Sequence, residues 1–454
     1  MMKSTIEEIW PEGMPRPDIP YSPAVRAGKW LFVSAQSASD LTSGLAEEAK
    51  VHPSFPYYTD PIARQADYLY RRAEQIIEAA GARPEQVVRV NQWYVTDMKK
   101  PGYQTGDLTV NNKRYVERKN RYFETLSPPS TGIGISELLV EGALVEADFT
   151  AIVAINGQLP ELISAPDVPK PGPGFAEGVR LGNWVFLSGD LATDWKGNWG
   201  TAENEENIHS LALEARTNGL FWGDLPIRKQ TEYVLTKLER IAYAAGTSLD
   251  MAVKAHVYLA DPNDFTGFED IWKNWFPDPY EAPSRTIVPN VELGAKGCRV
   301  EISLDLLIPE AKHLRKAIRG GWIPKSHESA AMRAEDLIYI SGLMATAENG
   351  LAVEASLLPG LPYFGLSGKK QMEYILMKAR RICDAAGVAI GQTVKANLYF
   401  SDLNLYAGAM EAWGEMFGGN HRPAVSVVEI NRGLWVPGCG ILVDFVIYDP
   451  KEAL

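Results

Sequence analysis

Cysteine, histidine and positive charge are all scarce in this chain. Its three cysteines, Cys298, Cys383 and Cys439, are far apart and odd in number, which excludes a disulfide framework and favours free thiols in a reducing compartment. Six histidines, His52, His209, His256, His313, His327 and His421, form neither His-x-His nor His-Glu-x-x-His, so their spacing offers no metal site. His256, on a strand pattern, reads as a satisfied core histidine. No apolar run is long enough to cross a bilayer, and the first residues carry Glu7, Glu8 and Glu12 without an apolar centre, so a cytoplasmic protein with neither membrane span nor export signal is expected. Lys and Arg number 45 against 57 Asp and Glu, a net charge of -12. Such a field repels phosphate backbones, and nucleic acid is not an expected partner. The Pro171-Gly172-Pro173-Gly174 stretch precedes a strand pattern and not a helix, so it provides no helix start for a phosphate.

What the chain has is apolar residues, 46% against 22% charged, over 454 residues. That is enough for several cores and too long for one. An internal repeat supplies the count. An apolar strand ending in Ser-small occurs at 29–35, 183–189 and 336–342, with Ser34, Ser188 and Ser341 at near-equal spacing. A helical pattern with apolar residues three and four apart follows at 65–81, 230–246 and 371–387. Each copy opens on Gln and closes on Ala-Ala-Gly, where glycine suits the left-handed position after a helix. Alternating strands at 88–97, 253–261 and 394–402 end in aspartate turns, aromatic helices follow at 115–123, 268–276 and 407–417, and Pro-led strand pairs close each copy at 129–153, 283–308 and 423–448.

Each copy reads β-β-α-β-α-β-β, an α+β unit whose two helices cover one face of a mixed sheet. The bare face needs a partner, and three tethered copies supply one by closing around a pseudo-threefold axis. The units are 1–160, 161–312 and 313–454, joined by Pro/Gly-rich linkers at 160–174 and 308–324. A species needing no partner chain is expected, with a dimer of that unit left open.

These landmarks resemble the RidA (YjgF) family across nearly the whole chain, three times over. The resemblance rests on Trp184-Val185-Phe186-Leu187-Ser188-Gly189, Gln230-Thr231, the strand and turn 257–265, and Pro283-Ser284-Arg285 followed by Val300-Glu301-Ile302. It implies a chorismate-mutase-like fold, small trimers closed here within one chain, and hydrolysis of reactive enamines and imines without metal or cofactor. It further implies that Arg285 clamps a substrate carboxylate and that Glu301 positions the hydrolytic water. A guanidinium fork suits a carboxylate bidentately, and a carboxyl group of suitable pKa can orient water or take its proton. Ser188 and Gly189 would present backbone groups beside the reacting centre. Phe175 stands where the family has a pocket tyrosine. In unit 1 the corresponding residues are Ser130 for the arginine, Glu146 and Tyr21. In unit 3 they are Val425 and Leu442, so unit 3 reads as scaffold.

Two readings stay open. One is a hydrolytic deaminase for an enamine, imine or related small C–N compound, with Arg285 and Glu301 facing one crevice. The other is a small-ligand-binding or regulatory protein without turnover. Ribonuclease activity, ascribed to some relatives of the family, is disfavoured by the net charge. On the first reading Arg285→Ala should abolish carboxylate binding and leave stability nearly unchanged.

Overall fold

The computed structural model describes residues 6–96, 108–124, 127–153, 157–195, 211–220, 223, 225–295, 297–362, 364–419 and 421–449. Asp97, His209 and Trp222 lie outside them. Each unit is a mixed sheet with helices on one face. The helices are α1 (Pro61–Ala79) and α2 (Leu108–Tyr122) in unit 1, α3 (Pro226–Ala244) and α4 (Phe265–Trp275) in unit 2, and α5 (Ser367–Ala386) and α6 (Tyr406–Phe417) in unit 3. The β-β-α-β-α-β-β order holds in all three. The stretches expected to be linkers carry more than turns: Glu161–Ile163 and Arg315–Ile318 are extra edge strands, as is Ile6–Ile9 in unit 1, each pairing antiparallel with the first strand of its own unit. Pairing there satisfies backbone groups that a covered edge would otherwise leave bare.

The repeated residues now have reasons. Gln65, Gln230 and Gln371 each donate through Nε2 to a loop carbonyl, of Gly142 (2.8 Å), Gly297 (3.0 Å) and Gly438 (3.0 Å). Each also accepts through Oε1 from an amide two residues on, of Leu144, Arg299 and Gly440. One side chain thus pins the turn before the last strand to the first helix. Gly81, Gly246 and Gly387 have φ of 71, 79 and 76°, the left-handed conformation expected after each helix. At each Ser-small step the pairing register with the last strand slips, between Val33 and Gln36, Leu187 and Asp190, and Ile340 and Leu343. The motif is therefore a bulge, which bends the strand and re-aims the residues beyond it.

The bare faces meet at a common axis. Trp30 and Trp184 pack edge to face with centroids 5.0 Å apart, and Tyr339 lies 6.2 Å from Trp184. Around them runs a closed circuit of buried ion pairs. Arg89 of unit 1 holds Asp305 of unit 2, Lys254 of unit 2 holds Asp444 of unit 3 at 2.5 Å, and Lys395 of unit 3 holds Asp148 of unit 1 at 2.8 Å. His256 adds a 2.7 Å contact to Asp444, which satisfies it as expected. A second circuit links the edges: the amides of Ser130, Arg285 and Val425 donate to the hydroxyls of Ser188 (3.0 Å), Ser341 (2.9 Å) and Ser34 (2.8 Å) in the next unit. Seams therefore run between units 1 and 2, 2 and 3, and 3 and 1.

Two seams also share strands. Glu292–Leu293 of unit 2 extends the unit 1 sheet, and Glu137–Leu138 of unit 1 extends the unit 3 sheet. Among the described residues the 2/3 seam has no such strand. The edge strand Ser284–Pro289 and its following turn meet unit 3 there through side chains, among them Trp435 Nε1 donating to Ile287 O at 3.1 Å and Asn290 Nδ2 to Gly433 O at 2.7 Å.

Candidate functional site at the seams

The register of unit 2 separates the two residues expected to work together. Along Ala252–Leu259, Arg285 pairs with Ala255 and Glu301 with Tyr258. Three positions is an odd step, and on a pleated strand odd steps face opposite sides. Arg285 therefore turns to the helix-covered face, its guanidinium 4.9 Å from the Trp272 ring on α4. Glu301 turns to the face that meets unit 1. The expected shared crevice is not formed: Arg285 lines the 2/3 seam and Glu301 the 1/2 seam. Each seam takes its strand cation position from one unit and its carboxylate position from the next.

At the 2/3 seam lies a cleft of about 720 Å³, with Phe265, Trp322 and Trp435 among its walls. Arg285 is 1% exposed and already engaged. Its Nη1 donates to Glu269 Oε2 (2.8 Å), while Nε and Nη2 donate to Glu328 Oε2 (3.0 and 2.7 Å). A guanidinium held by two carboxylates has little left to offer a third. At the carboxylate position stands Leu442, and Gly342 lies beside it.

The 3/1 seam joins Val425 to Ser34. Tyr21 is half-buried near Glu146, whose charge raises the phenol further after desolvation has raised it, to about 12. Burial likewise lifts the Glu146 carboxyl to about 8, against the pull of Lys395. Tyr21 and Glu146 are thus neighbours, whereas Ser130 belongs to another seam. The pairing of Ser130 with Glu146 in one site is not formed.

The 1/2 seam gathers the rest. Ser130 of unit 1 meets Phe175, Gly189 and Glu301 of unit 2 around a cavity of about 40 Å³, which Lys119 and Trp195 also line. Ser188 sits behind it, accepting from the Ser130 amide and donating to Ala176 O at 2.5 Å. Its hydroxyl is a fastener, its amide donates to Glu177 O, and of the two residues it is Gly189 that lines the cavity. A Cβ at Gly189 would run into a Glu301 carboxylate oxygen and stand 2.7 Å from Thr131 Oγ1, so only glycine admits that carboxyl group. Glu301 is 3% exposed. Burial first, and the charge of Asp190 second, raise its pKa to about 8, with the Gly132 amide opposing. Around it, Glu301 Oε2, Gln92 Oε1, Tyr94 OH, Thr131 Oγ1 and Trp195 Nε1 are buried without a hydrogen-bond partner. Such groups are rare in folded proteins, and their concentration marks a place built for a polar guest.

Sequence reasoning missed Lys119. Its Nζ donates to Ser130 Oγ at 3.3 Å and lies 5.4 Å from the Phe175 ring. Burial lowers its pKa to about 7. The signal was present: counting back from the closing phenylalanines Phe123, Phe276 and Phe417, Lys119 occupies the position of Trp272 and Trp413. Where unit 2 has Arg285 on the strand and Trp272 on the facing helix, unit 1 has Ser130 and Lys119. No group of three His, Cys, Asp or Glu suited to a metal occurs among the described residues, and none of their helices is long and apolar enough to cross a membrane.

The model of the endoribonuclease L-PSP family matches residues 12–153, 166–307 and 324–434. The chain belongs to this family, whose members include the RidA proteins. A 2-iminobutanoate/2-iminopropanoate deaminase of Dermatophagoides farinae is 29% identical over 147 residues, 32% of this chain and 95% of that protein. A RutC family protein of Sulfurisphaera tokodaii is 28% identical over 144 residues, 32% of this chain and 95% of that one. Among solved structures, RidA from the Antarctic bacterium Psychrobacter sp. is 27% identical over 33% of this chain and 99% of its own, with a TM-score of 0.24. A chorismatase covers 80% of this chain and 93% of its own at 11% identity and a TM-score of 0.48.

Proposed function

We propose that the 1/2 seam hydrolyses a small imine or enamine to its carbonyl compound and ammonia, using side chains alone, with Glu301 as the group that handles water and protons. The observation carrying this reading is the Glu301 carboxyl itself: buried, seated against Gly189, with Oε2 unpartnered. A carboxyl group with a pKa near 8 keeps its proton at neutral pH, so it can hydrogen-bond to and protonate a departing nitrogen. The carboxylate left behind can take a proton from water attacking the same carbon. The imine deaminase among the relatives supports the reaction class. Clamping by Arg285 has no part in this site, because the basic group facing Glu301 across the cavity is Lys119. A net charge of -12 argues against phosphodiester substrates. The test is ammonia release from short-chain imines generated in situ, with Glu301→Gln as the variant. Loss of roughly 10²-fold or more is expected for a general acid–base group; an unchanged rate would remove Glu301 from the reaction.

Binding without turnover is favoured at the 2/3 seam, where a far larger cleft combines a neutralised Arg285 with Leu442 at the carboxylate position. Calorimetric titration of small aromatic ligands checks it, since the cavity of about 40 Å³ at the 1/2 seam is too small to take them. Heat that persists when Trp435→Ala is introduced would refute it.

A further inference from the structure

Lys119 is a buried cation that the packing around it does little to hold. It is 1% exposed, at the end of a cavity, and its one hydrogen bond among the described residues goes to a neutral hydroxyl at 3.3 Å. Arg89, Lys254, Lys395 and Arg285 each meet at least one carboxylate, and Lys378, which lines the 2/3 cleft and meets none among the described residues, is held by three hydrogen bonds to Met344 O, Thr346 O and Thr346 Oγ1. Lys119 shares the cavity wall with Phe175, Val116 and Leu191 and with the polar Gln92 and Glu301, and bonds only Ser130 among the described residues. A cation in such surroundings carries an uncompensated desolvation cost, which the neutral amine escapes. A desolvated lysine opening onto a cavity is the arrangement that makes an amine nucleophilic.

We propose that Lys119 is a covalent catalyst, an amine nucleophile that forms a Schiff base with a small uncharged aldehyde or ketone, or with the corresponding imine. The inference rests on the hydrolytic reading of the same cavity and specifies how the carbon is held. With an imine, the Nζ lone pair bonds to the C=N carbon and the π pair moves to nitrogen, which takes the proton that Nζ sheds. Glu301 then protonates that nitrogen, ammonia leaves, and a protonated C=N bond to Lys119 remains. Water adds to this carbon, giving its proton to the Glu301 carboxylate. Collapse of the adduct breaks the C–Nζ bond and returns free amine, protonated Glu301 and the carbonyl product. Atoms balance as imine plus water to carbonyl plus ammonia. With a carbonyl compound the first stage releases water in place of ammonia.

Two further observations fix the substrate class. The cavity is small, about 40 Å³, which limits the guest to a short chain. Among the described residues the cavity lining holds no arginine, and its basic side chain is Lys119, which as the free amine that attacks carries no charge to hold a carboxylate. The orphaned Trp195 Nε1 is a donor for the carbonyl oxygen or the imine nitrogen.

The test is reductive trapping of the full chain. The protein is incubated separately with butanone and with 2-oxobutanoate, reduced with sodium borohydride, digested, and mapped by mass spectrometry. Butanone is expected to place a single label on Lys119, and Lys119→Arg, which keeps a charge but cannot form an imine, to lose it. Absence of label at Lys119 with both probes overturns the proposal; label from 2-oxobutanoate alone overturns the uncharged substrate class. The site of labelling is read on the wild-type chain, so the outcome does not depend on how the variant folds. Trapping also separates the two readings. Ammonia release that depends on Glu301, with no Lys119 adduct, leaves direct attack by water and removes the covalent route. An adduct with no ammonia release keeps the nucleophile and removes the hydrolysis.

Discussion

Gly189→Ala isolates the packing that seats the Glu301 carboxyl. The added Cβ would overlap a carboxylate oxygen of Glu301, approach its Cδ to 3.1 Å and lie 2.7 Å from Thr131 Oγ1. Glu301 has little room to withdraw, being 3% exposed on a central strand, so the methyl group must force it off its rotamer or part the two units. Overpacking of this kind costs about 1–3 kcal/mol. Thr131 can relieve its share by rotation about χ1, which leaves the carboxyl as the main obstacle. In a Glu301→Ala background the obstacle is gone, so the same methyl group should be tolerated, giving a coupling of similar size and opposite sign. Urea titration of the two single variants and the double variant measures this through the midpoints, provided the slopes agree. Gly189→Ala should also lower ammonia release, because the displaced carboxyl no longer faces the cavity. A Gly189→Ala cost below about 0.5 kcal/mol, within the usual range of inert substitutions, would refute the argument. So would a cost that survives removal of the Glu301 side chain.

Arg285→Ala is now expected to destabilise by about 3–5 kcal/mol, since it strands Glu269 and Glu328 beside each other; unchanged urea midpoints would restore the exposed clamp expected from sequence. Asp444→Ala should cost a similar amount by leaving Lys254 and His256 unpaired at the axis, and a near-neutral result would mean that this circuit is not what fastens units 2 and 3. Stability should fall as pH rises from about 5 to 8, because the unfolded chain releases the Glu146 and Glu301 protons near 4.5 whereas the folded chain keeps them to about 8. Lys119 works in the opposite direction from about 7 to 10.5. The Glu146→Gln/Glu301→Gln protein should show a flatter profile of urea midpoints over pH 5–8; equal slopes would contradict the burial argument.

Much of the fold was legible because the repeat is written in residues with local duties. The glutamine that pins a turn, the glycine that ends a helix and the serine at a bulge recur in all three copies, and each marks an element boundary. The edge strands at 161–163 and 315–318 escaped notice because they are short and lie among prolines and glycines that also suit a linker. The site was harder to read. Arg285 and Glu301 are both correctly placed on strands of unit 2, yet whether they share a face depends on pairing register, which sequence spacing does not specify. Lys119 was hidden for another reason. A lysine on a polar helix ordinarily faces water, and only superposing the three helix ends shows it standing where its counterparts are buried tryptophans.

In an assembly of identical subunits every junction must be alike, so whatever loosens one loosens all. A single chain is released from that requirement. Here two junctions are laced through peptide groups by the segments Glu292–Leu293 and Glu137–Leu138. Among the described residues the remaining junction is left to side chains and opens into a cleft of about 720 Å³. A void of that size, repeated three times, would leave the axis without support; confined to one side, it is braced by the other two.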